Sequence, residues 1–204
     1  MRMQNSKGKL IVVSGPSGAG KSTVIGKVVK RRSDIRFSVS ATTRQPRPGE
    51  VNGKDYVFVG REDFISMIEK DELLEYAEYV GNLYGTPVAP VKAALDDGLN
   101  IILDIEVQGA LQVKAHMPEA IMVFLIPPNF FQLEERLRCR NKDSEEKILG
   151  RLETARREYS KAAAYEYIVV NGDADIAAEE LNSIIVAERC RREDRLKHLI
   201  TDAE

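Results

Sequence analysis

One stretch limits the folds open to this chain more than any other: Leu10-Ile-Val-Val-Ser-Gly-Pro-Ser-Gly-Ala-Gly-Lys-Ser-Thr23. Leu10 to Val13 reads as a short strand buried on both faces, because consecutive apolar residues leave it no polar side. Gly15, Gly20, Lys21 and Ser22 then complete the pattern G-x-x-x-x-G-K-[ST], and Val24, Ile25 and Val28 recur at helical spacing behind it. Strand, glycine loop and helix in that order are the context a phosphate-binding loop requires. Gly15, Gly18 and Gly20 let the backbone turn its N–H groups inward around phosphate oxygens, with Pro16, Ser17 and Ala19 between them. The helix N-terminus, at Ser22 and Thr23, adds its partial positive charge at the same point. Lys21 is expected to reach the β/γ-phosphates as a point charge, and the Ser22 hydroxyl to ligate Mg²⁺. A bare glycine-rich turn with a surface lysine competes with this reading, but the flanking strand and helix favour binding of a nucleoside triphosphate.

The chain has 204 residues, enough for one sizeable core with inserted subdomains but not for two ordinary independent domains. A formal net charge of −2 argues against a large basic surface for nucleic acid. No apolar run approaches the roughly 18 residues of a membrane span, and the N-terminus lacks the apolar core of a signal peptide. Cys139 and Cys190 form no spaced motif, and the two histidines, His116 and His198, cannot complete a zinc set. Reduced thiols in a cytoplasmic protein are the expectation.

Beyond the loop, the first helix is predicted to run to about Arg32, and Arg36 to Ser40 to form a strand. Ala41 to Gly53 has a different character: Arg44 and Arg47, held among Pro46, Pro48 and Gly49, make a stiffened cationic loop. Either these arginines are simply solvated or they form a second phosphate clamp. A strand over Asp55–Val59, a helix over Arg61–Lys70 and paired strands over Leu73–Tyr84, turning at Gly81-Asn82, follow. The interval 37–90 is strand-rich and aromatic between flanks that alternate strand and helix, so it reads as an inserted lobe.

A helix over Pro87–Asp97 closes at Gly98, and Asn100-Ile-Ile-Leu-Asp104 is an apolar strand ending in a carboxylate. A carboxylate at the C-terminal end of a core strand lies in the crevice where open α/β sheets bind ligands. Asp104 could hold Mg²⁺ through water, orient the metal-bound phosphates, or cap the helix over Val107–His116. Ala120–Ile126 and Tyr167–Val170 complete the buried strands. Between them lie a helix over Asn129–Arg140, then a helix with Asp143 and Glu146 as a capping box. A last amphipathic helix is expected over Asp175 to about Leu196. The order predicts a three-layer α/β core with a mostly parallel sheet.

Several segments together resemble the guanylate kinase family of P-loop nucleoside monophosphate kinases. They are the phosphate loop, Ser38-Val-Ser-Ala-Thr-Thr-Arg-Gln-Pro-Arg47, Gly49-Glu-Val-Asn-Gly-Lys-Asp-Tyr56, Tyr84-Gly-Thr86, Leu103-Asp-Ile-Glu-Val-Gln-Gly109 and Val169-Val-Asn171. The resemblance implies a single unit with a P-loop core over 8–36, 91–135 and 157–204, a GMP-binding lobe over 37–90 and a helical lid over 136–156. It implies transfer of the γ-phosphoryl group of ATP, with Mg²⁺, to GMP, with dGMP as a further acceptor. Carried over by position, Arg44, Arg47, Tyr56 and Tyr84 hold the GMP phosphate. Ser40, Glu75 and Thr86 face guanine, with Asp104 and Glu106 beside them. Arg136, Arg140 and Arg151 match the lid arginines, which with Lys21 and Arg44 form the catalytic set, and Asn171 matches the position near the adenine of ATP. Thr86 stands where Ser is frequent and keeps the hydroxyl; Glu106 stands where Asp is frequent and is longer by a methylene. Partners are then two small nucleotides, with neither nucleic acid nor membrane, and a homo-oligomer is left open. Two other readings stand: a P-loop kinase for a different small phosphate acceptor, and a non-catalytic peptide-binding scaffold of the same fold. The intact Lys21 and Ser22 argue against the scaffold.

Overall fold

The computed structural model describes residues 7–139 and 144–200. Five strands form one fully parallel sheet: β1 (Leu10–Ser14), β2 (Ile35–Phe37), β7 (Asn100–Asp104), β8 (Ile121–Ile126) and β9 (Tyr167–Val170). Their spatial order is β2-β7-β1-β8-β9. β1 lies at the centre, and all five of its residues are buried, as its unbroken apolar run requires.

Helices cover both faces. Ile11 and Val13 point toward α1 (Lys21–Arg31) and α7 (Ala174–Arg189), where Val24, Ile25, Ala178 and Leu181 meet them. Leu10 and Val12 point the other way, onto Leu95 of α3 (Val88–Asp96) and Val113 of α4 (Val107–His116). This period-2 division of one strand between two layers is the physical content of a three-layer core. Each aliphatic side chain fully buried here contributes about 1.5–3 kcal/mol relative to exposure.

Between β2 and α3 the chain builds a second, four-stranded sheet of order β4-β3-β6-β5. Its strands are β3 (Ala41–Thr42), β4 (Val57–Phe58), β5 (Leu73–Tyr79) and β6 (Asn82–Pro87), with α2 (Arg61–Glu69) packed on it through the fully buried Phe64. α5 (Phe130–Cys139) and α6 (Glu145–Tyr159) form a hairpin whose small core is Leu133, Leu137, Ile148 and Leu152. A single 3-10 turn, Ala162–Ala164, leads into β9, and α8 (Arg192–Ile200) ends the described chain. Among the described residues no helix is long and apolar enough to cross a membrane.

Four local expectations shift. The strand expected over Arg36–Ser40 ends at Phe37, and Ala41–Thr42 pairs in the second sheet instead. The hairpin turns at Val80-Gly81 rather than Gly81-Asn82: both residues have positive φ, 50° and 74°, as a two-residue turn between twisted strands demands. The last helix is two, broken at Cys190-Arg191, with Asp173 capping the first through the N–H groups of Asp175 and Ile176. α6 begins after Ser144, which makes no side-chain cap, and the expected partner Asp143 lies outside the described residues.

A buried polar knot holds the far ends of the strands. Asn100, fully buried at the start of β7, accepts from the Lys9 N–H at 3.0 Å and donates to the Asp34 carboxylate at 3.0 Å. Arg32 and Arg189 also grip Asp34 and hold its carboxyl below the usual carboxylate range, Arg32 most strongly. Asn100→Ala should therefore cost about 1–3 kcal/mol, because it strands a buried N–H as well as losing its own bonds. Urea denaturation of the variant, compared with an exposed Gln45→Ala control, checks this.

Candidate functional site

Parallel register determines which groups meet at the carboxyl ends of the strands. Val13 pairs with Asp104, so the last residue of β7 stands beside the point where β1 gives way to the glycine loop. Open parallel sheets bind ligands in this crevice. Gly15 has φ 144°, and a Cβ there would lie 2.0 Å from the Leu125 carbonyl oxygen of β8. Gly20, the residue before α1, has φ 92°, and a Cβ would lie 2.3 Å from Asn171 Nδ2. The loop thus needs glycine both for conformation and for close approach. α1 begins without a side-chain cap and without an acidic residue in its first turn, so its N-terminus keeps its positive end for an anion.

Two side chains brace this loop from outside. Asn171, at the end of β9, donates to the Ala19 carbonyl at 2.7 Å. Arg136, on α5, donates to the same carbonyl at 3.3 Å and to the Asn171 carbonyl at 2.8 Å. Lys21 folds back to donate to the Gly15 carbonyl at 2.7 Å.

Lys21 is also the wall between two cavities. The first, about 310 Å³, lies between the second sheet and the crevice, and Ser40, Tyr56, Glu75, Tyr84, Asp104 and Glu106 line it together with Lys21. The second, about 690 Å³, lies between the glycine loop and α6; its lining includes Gly15, Ser17, Lys21, Arg151 and Glu158. Tyr79 and Glu106 belong to both walls as well.

Six of the residues singled out for the acceptor side therefore converge on one cavity. Thr86 stands behind it, fully buried, and its hydroxyl donates to Glu75 Oε1 at 2.7 Å. Arg44 lies at its edge, 5.3 Å over the Tyr56 ring, with its guanidinium bonded to Glu50 at 2.8 Å. Such a contact with an aromatic face is favourable for a guanidinium. Arg47 is exposed, and its backbone N–H donates to the other Glu50 oxygen at 2.7 Å. Ser22 and Thr23 are exposed at the start of α1. Arg140 lies outside the described residues.

Carboxylates in this crevice are electrostatically unusual. Burial pushes the Glu75 carboxyl up, against the Thr86 hydrogen bond, with the Glu106 charge adding to the rise. Asp104 touches solvent at the floor of a concave cleft yet has protein on most sides, and this desolvation raises its carboxyl while Lys21 opposes it. Glu158 is raised by burial too, again with Lys21 opposing. Acids perturbed in this way cluster where ligands are bound. Asp104 does not cap α4: the residue preceding that helix is Glu106, which makes no side-chain cap.

Sequence reasoning missed several groups. Lys147, Arg151, Thr154 and Glu158 recur at helical spacing, so one polar face of α6 overlooks the second cavity; only Arg151 was singled out. Glu50 lies in one of the segments that carry the family resemblance but was given no role, although it joins Arg44 to Arg47. Gly109 lies in a motif, yet its reason is spatial: a Cβ there would stand 2.8 Å from Glu75 Oε2. Among the described residues no group of three or more His, Cys, Asp and Glu side chains is arranged to hold a metal ion. A metal working here would depend on oxygen atoms of its ligand, with the exposed hydroxyls of Ser17, Ser22 and Thr23 at the loop.

Comparison with known proteins bears on the family of the chain. Residues 7–188 match the protein family described as guanylate kinase. The chain is 49% identical to the guanylate kinase of Desulfitobacterium hafniense (strain Y51), over 93% of this chain and 94% of the relative. It is 51% identical to that of Streptococcus thermophilus (strain CNRZ 1066), over 95% and 93%. The crystal structure of guanylate kinase from Anaplasma phagocytophilum superposes with a TM-score of 0.71 at 35% identity, covering 92% of this chain and 89% of that one.

Gly109→Ala should displace the Glu75 carboxylate, since α4 backbone cannot yield as a flexible side chain could. The expected outcome is a raised KM for the ligand of the first cavity with a folded protein of near-normal melting temperature. Steady-state kinetics alongside a thermal melt measures both.

Proposed function

The chain belongs to the guanylate kinase family, and from that membership we propose that it transfers the γ-phosphoryl group of ATP to GMP across the wall that Lys21 forms between its two cavities. The products are ADP and GDP, and dGMP is a second acceptor. The observation that carries this reading is the pairing of a phosphate loop with a desolvated, Thr86-bonded carboxylate, Glu75, on the opposite wall of one crevice.

Guanine presents two adjacent donors, N1–H and the 2-amino group, and an ionised carboxylate accepts from both. Adenine offers no such pair and leaves the buried Glu75 unsatisfied, which makes the site selective rather than merely tight. Ser40, Thr86 and Glu106 complete the base end, and Tyr56, Tyr84, Arg44 and Arg47 the phosphate end. Glu50 supports that clamp by holding Arg44 and the Arg47 backbone in one loop.

On the donor side the glycine loop from Gly15 through Thr23 wraps the ATP phosphates, and Asn171 lies toward the adenine. Phosphoryl transfer needs alignment and charge stabilisation more than covalent help. Lys21 supplies the cation at the β/γ-phosphates; its short bond to the Gly15 carbonyl keeps the ammonium aimed into the crevice. Arg136 supports the loop through Ala19 and Asn171, Arg151 approaches the transferring group from α6, and the family resemblance gives Arg140 the same role. The Ser22 hydroxyl would hold a Mg²⁺ ion carried by ATP, which would supply charge neutralisation at the phosphates. Residues 37–90 act as the acceptor lobe and 136–156 as the lid, and their closure excludes water that would otherwise hydrolyse ATP.

A coupled ADP-release assay with ATP across GMP, dGMP, AMP, CMP and UMP tests this reading. Turnover should be confined to the guanine nucleotides, and Lys21→Ala should lose most of it while folding normally, since its side chain serves ligand rather than core. Equal rates with AMP, or full activity of Lys21→Ala, would sink the assignment.

The arginines should divide by kinetic signature. Contacts made before closure raise KM when removed, and contacts made at the transition state lower kcat. Arg47→Ala is expected chiefly to raise the KM for GMP. Arg151→Ala is expected chiefly to lower kcat, approaching the roughly 10³-fold effect of phosphoryl-stabilising arginines. Initial rates with each substrate varied separately distinguish the two.

A further inference from the structure

Glu75 reads guanine only if its backbone is held still, and β5 on its own does not hold it. β5 is the edge strand of the second sheet, and its pairing with β6 is irregular between Leu73 and Tyr76, where Glu75 sits. A bulge at that point re-aims the side chain but interrupts the ladder that would fix it. An open edge also leaves outward-facing N–H and C=O groups without partners.

Both flanks of Glu75 are instead bonded to α4, an element of the core. The Gln112 side chain accepts from the Tyr76 N–H at 3.1 Å and donates to the Tyr76 carbonyl at 3.2 Å. One primary amide thus reproduces both bonds of a neighbouring strand residue, which only Asn or Gln can do. On the other flank His116 Nδ1 lies 2.9 Å from the Leu74 carbonyl and 3.1 Å from the Gln112 carbonyl. Both partners are acceptors, so Nδ1 carries the hydrogen. Gly109, Gln112 and His116 follow at i, i+3 and i+7, hence on one face of the helix. That face therefore leaves room for the carboxylate and pins the chain on each side of it.

We propose that Gln112 and His116 are positioning residues for guanine selection, a bracket by which α4 ties the backbone on both sides of Glu75 to the core while Thr86 of β6 holds its carboxylate. The inference rests on the reading of Glu75 as the guanine acceptor. Because α4 follows directly from the strand that ends at Asp104, the bracket ties the base-reading carboxylate to the phosphate side of the crevice.

The test compares GMP with IMP, which keeps the N1–H donor but lacks the 2-amino group. Gln112→Met preserves length and removes the amide. Losing two neutral hydrogen bonds should raise the KM for GMP roughly tenfold and lower the GMP-to-IMP preference, leaving the KM for ATP unchanged. His116→Ala should act in the same direction and more weakly. A Gln112→Met protein that is less thermostable but keeps its GMP KM and its GMP-to-IMP ratio would show the bracket to be merely structural, and the proposal would be wrong. Glu75→Gln, measured in parallel, separates the two levels. If that variant also keeps the ratio, the guanine reading itself fails; if only the Gln112 variant keeps it, the bracket alone is rejected. Should Gln112→Met not fold, hydrogen exchange in the unmodified enzyme decides. The Tyr76 amide must be protected despite facing out from an edge strand, and exchange at the rate of an unpaired edge amide overturns the inference.

Discussion

Parallel pairing of β1 between β7 and β8 is the constraint from which the rest of this molecule follows. Parallel strands end on the same side, so the glycine loop after Ser14 and the carboxylate of Asp104 emerge together, with Val13 and Asp104 directly paired. Leu125 of β8 comes so close to Gly15 that only a residue without a side chain fits between them. Had β1 or β7 run the other way, loop and carboxylate would lie at opposite ends of the sheet. Parallel strands also require crossovers, and those crossovers bring α1, α4 and the second sheet around the same crevice.

Charge is distributed in that crevice with opposite logic on its two walls. The phosphate side presents N–H groups, a helix N-terminus and Lys21, all suited to anions. The base side presents Glu75 in a desolvated setting, bonded to Thr86. A buried carboxylate is costly unless its lone pairs are used, and in the proposed function guanine supplies the missing donors. Lys21 stands where the two regimes meet, and its charge tempers the rise of both Asp104 and Glu158. The nearly neutral chain thus concentrates strong local fields without a net charge that would draw polymeric anions.

Edges account for much of the remaining architecture. The second sheet is small, and its outer strand is irregular at Glu75, so its stability and its geometry are borrowed from α4 through side-chain to backbone bonds. Phe64 of α2 covers its apolar side, against Leu73 and Leu83. The sheet is therefore less a free-standing domain than a wall whose angle the core helix sets.

The sequence alone determined the β1–loop–α1 unit, the strand ending at Asp104 and the strand over Tyr167–Val170, because apolar runs and glycine positions act over a few residues. It also singled out a proposed acceptor-side set through its likeness to a family, and six of those residues share one cavity. Where local signals were balanced, reading stopped at the neighbourhood. The hairpin turn moved to Val80 because strand twist, not residue preference, selects it, and the last helix broke at Cys190-Arg191 without a glycine or proline to announce it. Tertiary structure alone decided why Gly109 is glycine, why Glu50 matters, which face of α6 looks onto the phosphate loop, and that Gln112 and His116 grip β5. Those facts depend on which distant segment arrives opposite a given side chain. That is settled by how two layers pack, an interaction summed over the whole core and written in no single stretch of the chain.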